Sequence, residues 1–249
     1  MFNQEDALIP FNTSPLPSGP WVVFAPHADD ETFGMGGTLL KAKKQGIETH
    51  LVVLTDGARG GVADDLVEVR RREVQQVAKI LGFRSLQCWS EPDRFLDIRT
   101  ALIEKVRDLI LDLKPKCVFL PGPFEIHPDH RAAALLVWSA LTIIKPKEKR
   151  PEPFAYEIGV QNPINFLVDV TEQIGDKKKV MALYESQNKE NNYPELVLAL
   201  DKGRTFSLPD RVEFAEGFYR HPISSLDSSF EEITHRIVKL YLRNSPNEH

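Results

Sequence analysis

The sequence predicts an α/β fold: a Rossmann-like three-layer sandwich with a mostly parallel sheet and its active site at the carboxyl ends of the strands. Three observations carry this expectation. Short Val- and Leu-rich runs alternate with helical segments from Trp21 to Ile144, the connections are long enough for crossovers, and a polar cluster follows each strand-like run. Right-handed crossovers cover both faces of a parallel sheet with helices, and such sheets bind ligands where the strand order reverses.

The first strand is WVVFAP (21–26), an apolar run that stops at Pro26. A helix from about Gly36 to Gln45 closes at Gly46, a C-terminal cap. THLVVLT (49–55) is the second strand, and ADDLVEVRRREVQQVAKIL (63–81) places Leu66, Val69, Val74, Val77, Ala78 and Leu81 on one helical face before Gly82. SLQCW is a third strand, DIRTALIEKVRDLILDLK a helix, CVFLPG a fourth strand and DHRAAALLVWSALTII a helix. After the Pro- and Lys-rich surface connection 143–153, PFAYEIG and NFLVDVT read as strands and EQIGDKKKVMALYESQ as one helix. The remainder mixes Pro, Asn and aromatics before a terminal helix near Phe230 to Leu242. The expected organisation is one domain over 1–249, with a core of about 21–187 and a C-terminal extension of about 188–249.

With 249 residues, 42% apolar and 27% charged, the chain can bury a large core and has no mark of disorder. A net charge of −5 argues against nucleic acid as a partner, since phosphate binding calls for a basic surface. No apolar run approaches the roughly 18 residues of a membrane span, and the acidic N-terminus does not look like a secretory signal. Cys88 and Cys117 lie in strand-like runs without C-x-x-C spacing, which implies buried thiols and a cytoplasmic setting.

Two clusters carry the chemistry, HADD (27–30) after the first strand and HPDH (127–130) after the fourth. Two imidazoles and a carboxylate with an open fourth position make the ligand set of a catalytic zinc site, and a spare carboxylate beside them can move protons. Spacing does not decide whether Asp29 or Asp30 meets the metal. The plainer alternative, that these acids only cap helices, accounts for each residue singly but not for their joint occurrence after two strands of one sheet. A rival chemistry is non-haem iron: His27-x-Asp29 with a distant histidine is also the spacing of an Fe(II) oxygenase triad.

These motifs resemble those of the PIG-L (LmbE-like) deacetylases. PHADDE is similar to the family's Pro-His-Pro-Asp-Asp-Glu, and HPDH to its His-x-Asp-His. TDGARGG, the Arg-x-x-Glu helix within RRREVQQVAKILG, Pro92-Asp93, VDVT and YESQ extend the likeness over about Trp21 to Gln187, with AEGFY (215–219) as a weaker echo. The resemblance implies a zinc-dependent hydrolase, other divalent cations being alternatives, that removes acetyl from the nitrogen of an N-acetylated amino sugar in a small-molecule conjugate. Position by position, it implies that His27, Asp30 and His130 hold the zinc. Asp29 is then general base and acid, and His127 stabilises the oxyanion in a charged form favoured by Asp129. Arg70 and Asp93 face the sugar. Ala28, Arg94, Glu125 and Tyr184 depart from the family pattern, mostly on the substrate side. A non-catalytic sugar-binding relative is the remaining alternative, and the sequence does not decide between a monomer and a homo-oligomer.

Overall fold

The computed structural model describes residues 8–59, 65–189 and 191–242. Strands β1 (Trp21–Ala25), β2 (Thr49–Thr55), β3 (Ser85–Glu91), β4 (Cys117–Pro121) and β5 (Glu152–Tyr156) alternate with helices α1 (Asp30–Lys44), α2 (Leu66–Leu81), α3 (Thr100–Leu113) and α4 (Pro128–Thr142). Then follow β6 (Phe166–Asp169), α5 (Ile174–Met181), α6 (Glu185–Asn188), α7 (Tyr193–Gly203), β7 (Ala215–Arg220) and α8 (Phe230–Leu242). The strand order is β3-β2-β1-β4-β5-β7-β6, parallel from β3 through β5. From β1 the chain winds outward to β3 and then returns to place β4 on the other side of β1. That reversal is the switch point at which the loops after β1 and β4 open beside each other.

Burial on both faces explains why the strands read as continuous apolar runs. Trp21, Val23, Ala25, Leu51 and Val53 pack with Met35 and Leu39 of α1 and with Val74 and Val77 of α2. The alternate residues Val22, Phe24, Val52 and Leu54 pack on the other side with Leu102, Val106, Val137 and Ile233 of α3, α4 and α8. Cys88 and Cys117 are free thiols, and burial pushes Cys117 up to about 12. Among the described residues no helix is long and apolar enough to cross a membrane.

Four elements differ from expectation. Helix α1 begins at Asp30 rather than near Gly36, and it breaks at Met35 (φ −147°, ψ 25°). The break frees backbone N–H groups, and Gly37 and Thr38 donate theirs to the Glu216 carboxylate of β7 at 2.8 and 2.7 Å. At Gly34 the helix also runs close to the end of β5: a Cβ there would overlap the Glu157 carbonyl oxygen, so only glycine fits. The segment 172–187, expected as one helix, divides into a short 3₁₀ turn (Thr171–Gln173), α5 and α6. Neither α7 nor β7 is evident in the local pattern, and β7 enters the sheet antiparallel between β5 and β6. Part of the helix expected over 63–81 lies outside the described residues, which resume at 65.

On the α4 and α8 side, His221 is 1% exposed between the Trp138 and Tyr219 rings, and neither ring nitrogen has a hydrogen-bond partner. Burial alone holds its pKa down at about 3. Below about pH 6.5 the unfolded chain takes up this proton while the folded chain does not, so stability is full above that pH and falls as pH drops toward 3. The expected loss is about 1.4 kcal/mol per pH unit over that window. Denaturation midpoints of His221→Phe, measured from pH 7 to 4, should show a shallower acid decline than those of the unsubstituted protein.

Candidate active site

The β1 and β4 loops bring their clusters together. The His27 and His130 rings are 5.4 Å apart between centroids, and His27 and His127 are 4.7 Å apart. Asp30, at the start of α1, lies between the first pair. Its Oδ2 is 3.2 Å from His27 Nδ1 and accepts the His27 backbone N–H at 2.8 Å, while its Oδ1 is 3.3 Å from His130 Nε2. Each gap is close to the roughly 3.3 Å between neighbouring donors around a tetrahedral ion with bonds of about 2.0–2.1 Å, though the two run from different Asp30 oxygens. Among the described residues, the groups whose donor atoms all lie within 4.8 Å of one another are His27, His127 and His130, and His27, Asp93, His127 and Asp129; neither includes Asp30. A set of buried imidazoles and carboxylates at this spacing fits a divalent cation.

Asp29 has a different character. Its backbone is at φ 134°, strained for a residue with a Cβ, and its carbonyl accepts the Thr32 and Phe33 N–H groups at 2.9 Å each. It occupies the N-cap position of α1, yet its side chain makes no capping bond. The helix-cap alternative therefore does not explain it. The carboxyl lines a cavity of about 480 Å³ instead. Burial, then the neighbouring Asp30 charge, raises its pKa well above the usual carboxylate value.

Electrostatics order the remaining groups. Burial opposes ionisation of Asp30, but the charges and hydrogen bonds of His130 and His27 overcome it and pull its pKa far down. Burial likewise opposes charge on His130, but Asp30 and Glu125 hold it up to about 9. His127 is pushed down to about 4 by burial and by the two other imidazoles.

Asp129 departs from its implied pairing. Its Oδ2 is 3.1 Å from His27 Nε2 and accepts the Arg94 N–H at 2.6 Å, and its Oδ1 accepts the Leu96 N–H at 3.2 Å. Only its backbone N–H reaches His127, at Nδ1 (3.2 Å). The reason is positional: His127 caps α4 and Asp129 sits in its first turn, with its side chain turned toward the β3–α3 loop. A charged His127 paired with Asp129 is therefore not what the structure places there. Asp93 Oδ1 is 3.3 Å from the same His27 Nε2, and Oδ2 accepts the Arg59 N–H at 2.9 Å. Arg70 lies 3.9 Å from Asp93 and donates to the Gly57 carbonyl at 2.6 Å. Arg70 and Asp93 both line the cavity.

Two acids to which the sequence reading gave no role in the site support this arrangement. Glu125 is 3.5 Å from His130 Nδ1 and accepts from the Ile158 and Gly159 N–H groups and the Asn162 amide at 2.9–3.0 Å. Its one signal was an acid in the same loop, five residues before a site histidine. Glu31, fully buried, accepts from Tyr184 Oη at 2.6 Å and Thr32 Oγ1 at 2.7 Å. A tyrosine at position 184 thus supplies a donor to Glu31.

A model of the PIG-L family, described as GlcNAc-PI de-N-acetylase, matches residues 22–141, which include both loops. The chain is also 30% identical over 186 residues to the probable N-acetyl-alpha-D-glucosaminyl L-malate deacetylase 2 of Bacillus anthracis, covering 67% of this chain and 80% of that one. The chain belongs to the PIG-L family. Among solved structures it resembles the N,N'-diacetylchitobiose deacetylase of Pyrococcus horikoshii, with a TM-score of 0.74, 22% identity, and 86% and 88% of the two chains covered. It also resembles the 4-carboxy-2-hydroxymuconate hydratase GalB of Pseudomonas putida KT2440, with a TM-score of 0.69, 19% identity, and 81% and 95% covered. At these identities both structures speak to the fold, an α/β sandwich with a mostly parallel sheet.

Glu125→Gln can keep an oxygen for the Ile158 N–H and the Asn162 amide, but sets an NH2 against the Gly159 N–H and His130 Nδ1, which weakens the hold on His130. The expected result is an approximately 10- to 100-fold loss of divalent-cation affinity, read by competition with a chromophoric chelator.

Proposed function

We propose that this PIG-L protein is a metal-dependent hydrolase that removes the acetyl group from the nitrogen of an N-acetylated amino sugar within a conjugate. The observation that supports it most is the Asp30 carboxylate between His27 and His130, with the Asp29 carboxyl in the same cavity and outside that cluster. A relative named for deacetylating an N-acetylglucosaminyl conjugate points the same way. We assign His27, Asp30 and His130 to the cation, and zinc is the ion that such an imidazole and carboxylate set suits. A divalent ion held there supplies Lewis acidity to the amide carbonyl and lowers the pKa of water.

The remaining work falls to side chains. Asp29, whose pKa burial and the Asp30 charge raise above the usual carboxylate value, accepts a proton from the attacking water and returns it to the departing amine. His127 accepts the Asp129 N–H at Nδ1, so the neutral ring carries its proton on Nε2 and has a donor for the developing oxyanion. Asp129, and with it Asp93, steadies His27 through Nε2. We assign Arg70 and Asp93 to the sugar side because both line the cavity. The iron triad is disfavoured: the Asp29 side chain has no hydrogen bond or ion pair with His27 or His130, while Asp30 has both. The two free thiols suit a cytoplasmic setting.

Asp29→Asn should retain bound metal and lose about 10²- to 10⁴-fold in acetate release from N-acetylglucosamine conjugates. His130→Ala should lose both metal and turnover. Elemental analysis beside an acetate assay reads both outcomes, and full activity in metal-loaded Asp29→Asn would sink the assignment.

A further inference from the structure

Outside the reaction centre, the cavity wall is mostly apolar. Ile126 is 75% exposed immediately before His127, and Leu196 of α7 is 41% exposed; Tyr193, Ile158 and Val160 complete this wall. Arg94 is the one charged lining residue not drawn into the cluster of His27, Asp29, Asp30, Arg70, Asp93, Glu125, His127 and His130.

The exposure is not that of a loose loop. The Arg131 guanidinium donates to the carbonyls of Ile126 and, at 3.0 Å, of Glu125, pinning the backbone that carries Ile126. Glu125 in turn accepts from Ile158 and Gly159, and the Asn162 amide donates to the Val160 carbonyl at 3.2 Å. Helix α7 is anchored by Asp201, whose carboxylate accepts from the buried Lys177 at 2.7 Å. Apolar side chains held rigidly in contact with water, at the rim of a reactive cavity, fit a ligand that covers them.

We propose that the conjugate carries an apolar group that lies on the wall of Ile126, Ile158, Val160, Tyr193 and Leu196 during hydrolysis of the N-acyl bond. This rests on the N-deacetylase reading above and narrows it. The apolar group is either the aglycone at the sugar's anomeric carbon or an N-acyl chain longer than acetyl. Both present the same chemistry to the wall, so the substrates must separate them.

The test uses the metal-loaded full chain and four N-acyl glucosamine glycosides: N-acetyl methyl, N-acetyl octyl, N-acetyl with a carboxylate-bearing aglycone, and N-octanoyl methyl. Released acid is measured and kcat/KM compared. The expected result is at least a tenfold higher kcat/KM for the octyl glycoside or the N-octanoyl compound than for the N-acetyl methyl glycoside, and whichever gains identifies the source. In Ile126→Ser/Leu196→Ser that ratio should fall toward one, and the exposure of both side chains makes misfolding a minor concern. Equal kcat/KM across the neutral substrates, a preference for the carboxylate through Arg94, or an unchanged ratio in the double variant would overturn the apolar wall while leaving the deacetylase standing. No release from any of the four would overturn both.

Discussion

The site depends on one constraint: a carboxylate buried at the switch point of the sheet must be answered by positive charge. Asp30 is 4% exposed, and its ionised form survives there because two imidazoles approach its two oxygens from loops a hundred residues apart. An isolated buried carboxylate would cost far more than a protein of ordinary stability can spare, so the two loops cannot drift apart without stranding it. Asp29, one residue earlier, is turned out of that cluster by a strained backbone, and there burial and the Asp30 charge outweigh the pull of His27 and Arg70 and send its pKa the other way. Two adjacent acids acquire opposite properties from one turn of the chain.

Behind these groups the support is carboxylate-rich. Glu125 faces His130, Asp129 and Asp93 face His27, and Glu31 meets Tyr184. Each of these acids also accepts backbone N–H groups or hydroxyls from a neighbouring loop, so orienting the histidines and ordering the loops are one set of bonds. The scheme extends to the far end of α1. There Glu216 caps the broken helix and shares Lys177 with Asp201 of α7, at 2.7 Å for each ion pair. Lys177 is fully buried, and its charge is held by these two carboxylates against the pull of burial. The helix bearing Asp30 and the helix bearing Leu196 are in this way tied through one ammonium group.

Legibility in the sequence followed locality. Strands β1, β2 and β4 were readable because burial on both faces makes each a nearly contiguous apolar run. The C-terminal end of α2 was readable because amphipathic spacing closes at Gly82, which adopts φ 81° as a left-handed cap. Helix α1 was misjudged because its first half is held from outside, by a glycine fitted against the end of β5 and a carboxylate from β7, and its residue spacing carries neither contact. Strand β7 was unreadable for a related reason: it is a strand because β5 and β6 leave a place for it.

The sequence by itself determined the chemical inventory: imidazoles and carboxylates at the ends of two strands, in an order that marks the PIG-L family. Chain order also placed them at the mouth of a parallel sheet. Only the tertiary structure decided how they divide the work. That β1 and β4 are neighbours is a property of sheet order, and the facing of Asp30 to both His27 and His130 follows from it. That Asp129 serves His27 rather than His127 follows from which way the first turn of α4 points its side chain. The rigid apolar wall likewise exists only because α7, from the part of the chain with the weakest local pattern, folds back across the cavity. Residue identity is local and survives in the sequence, while facing direction is set by contacts between segments far apart in the chain.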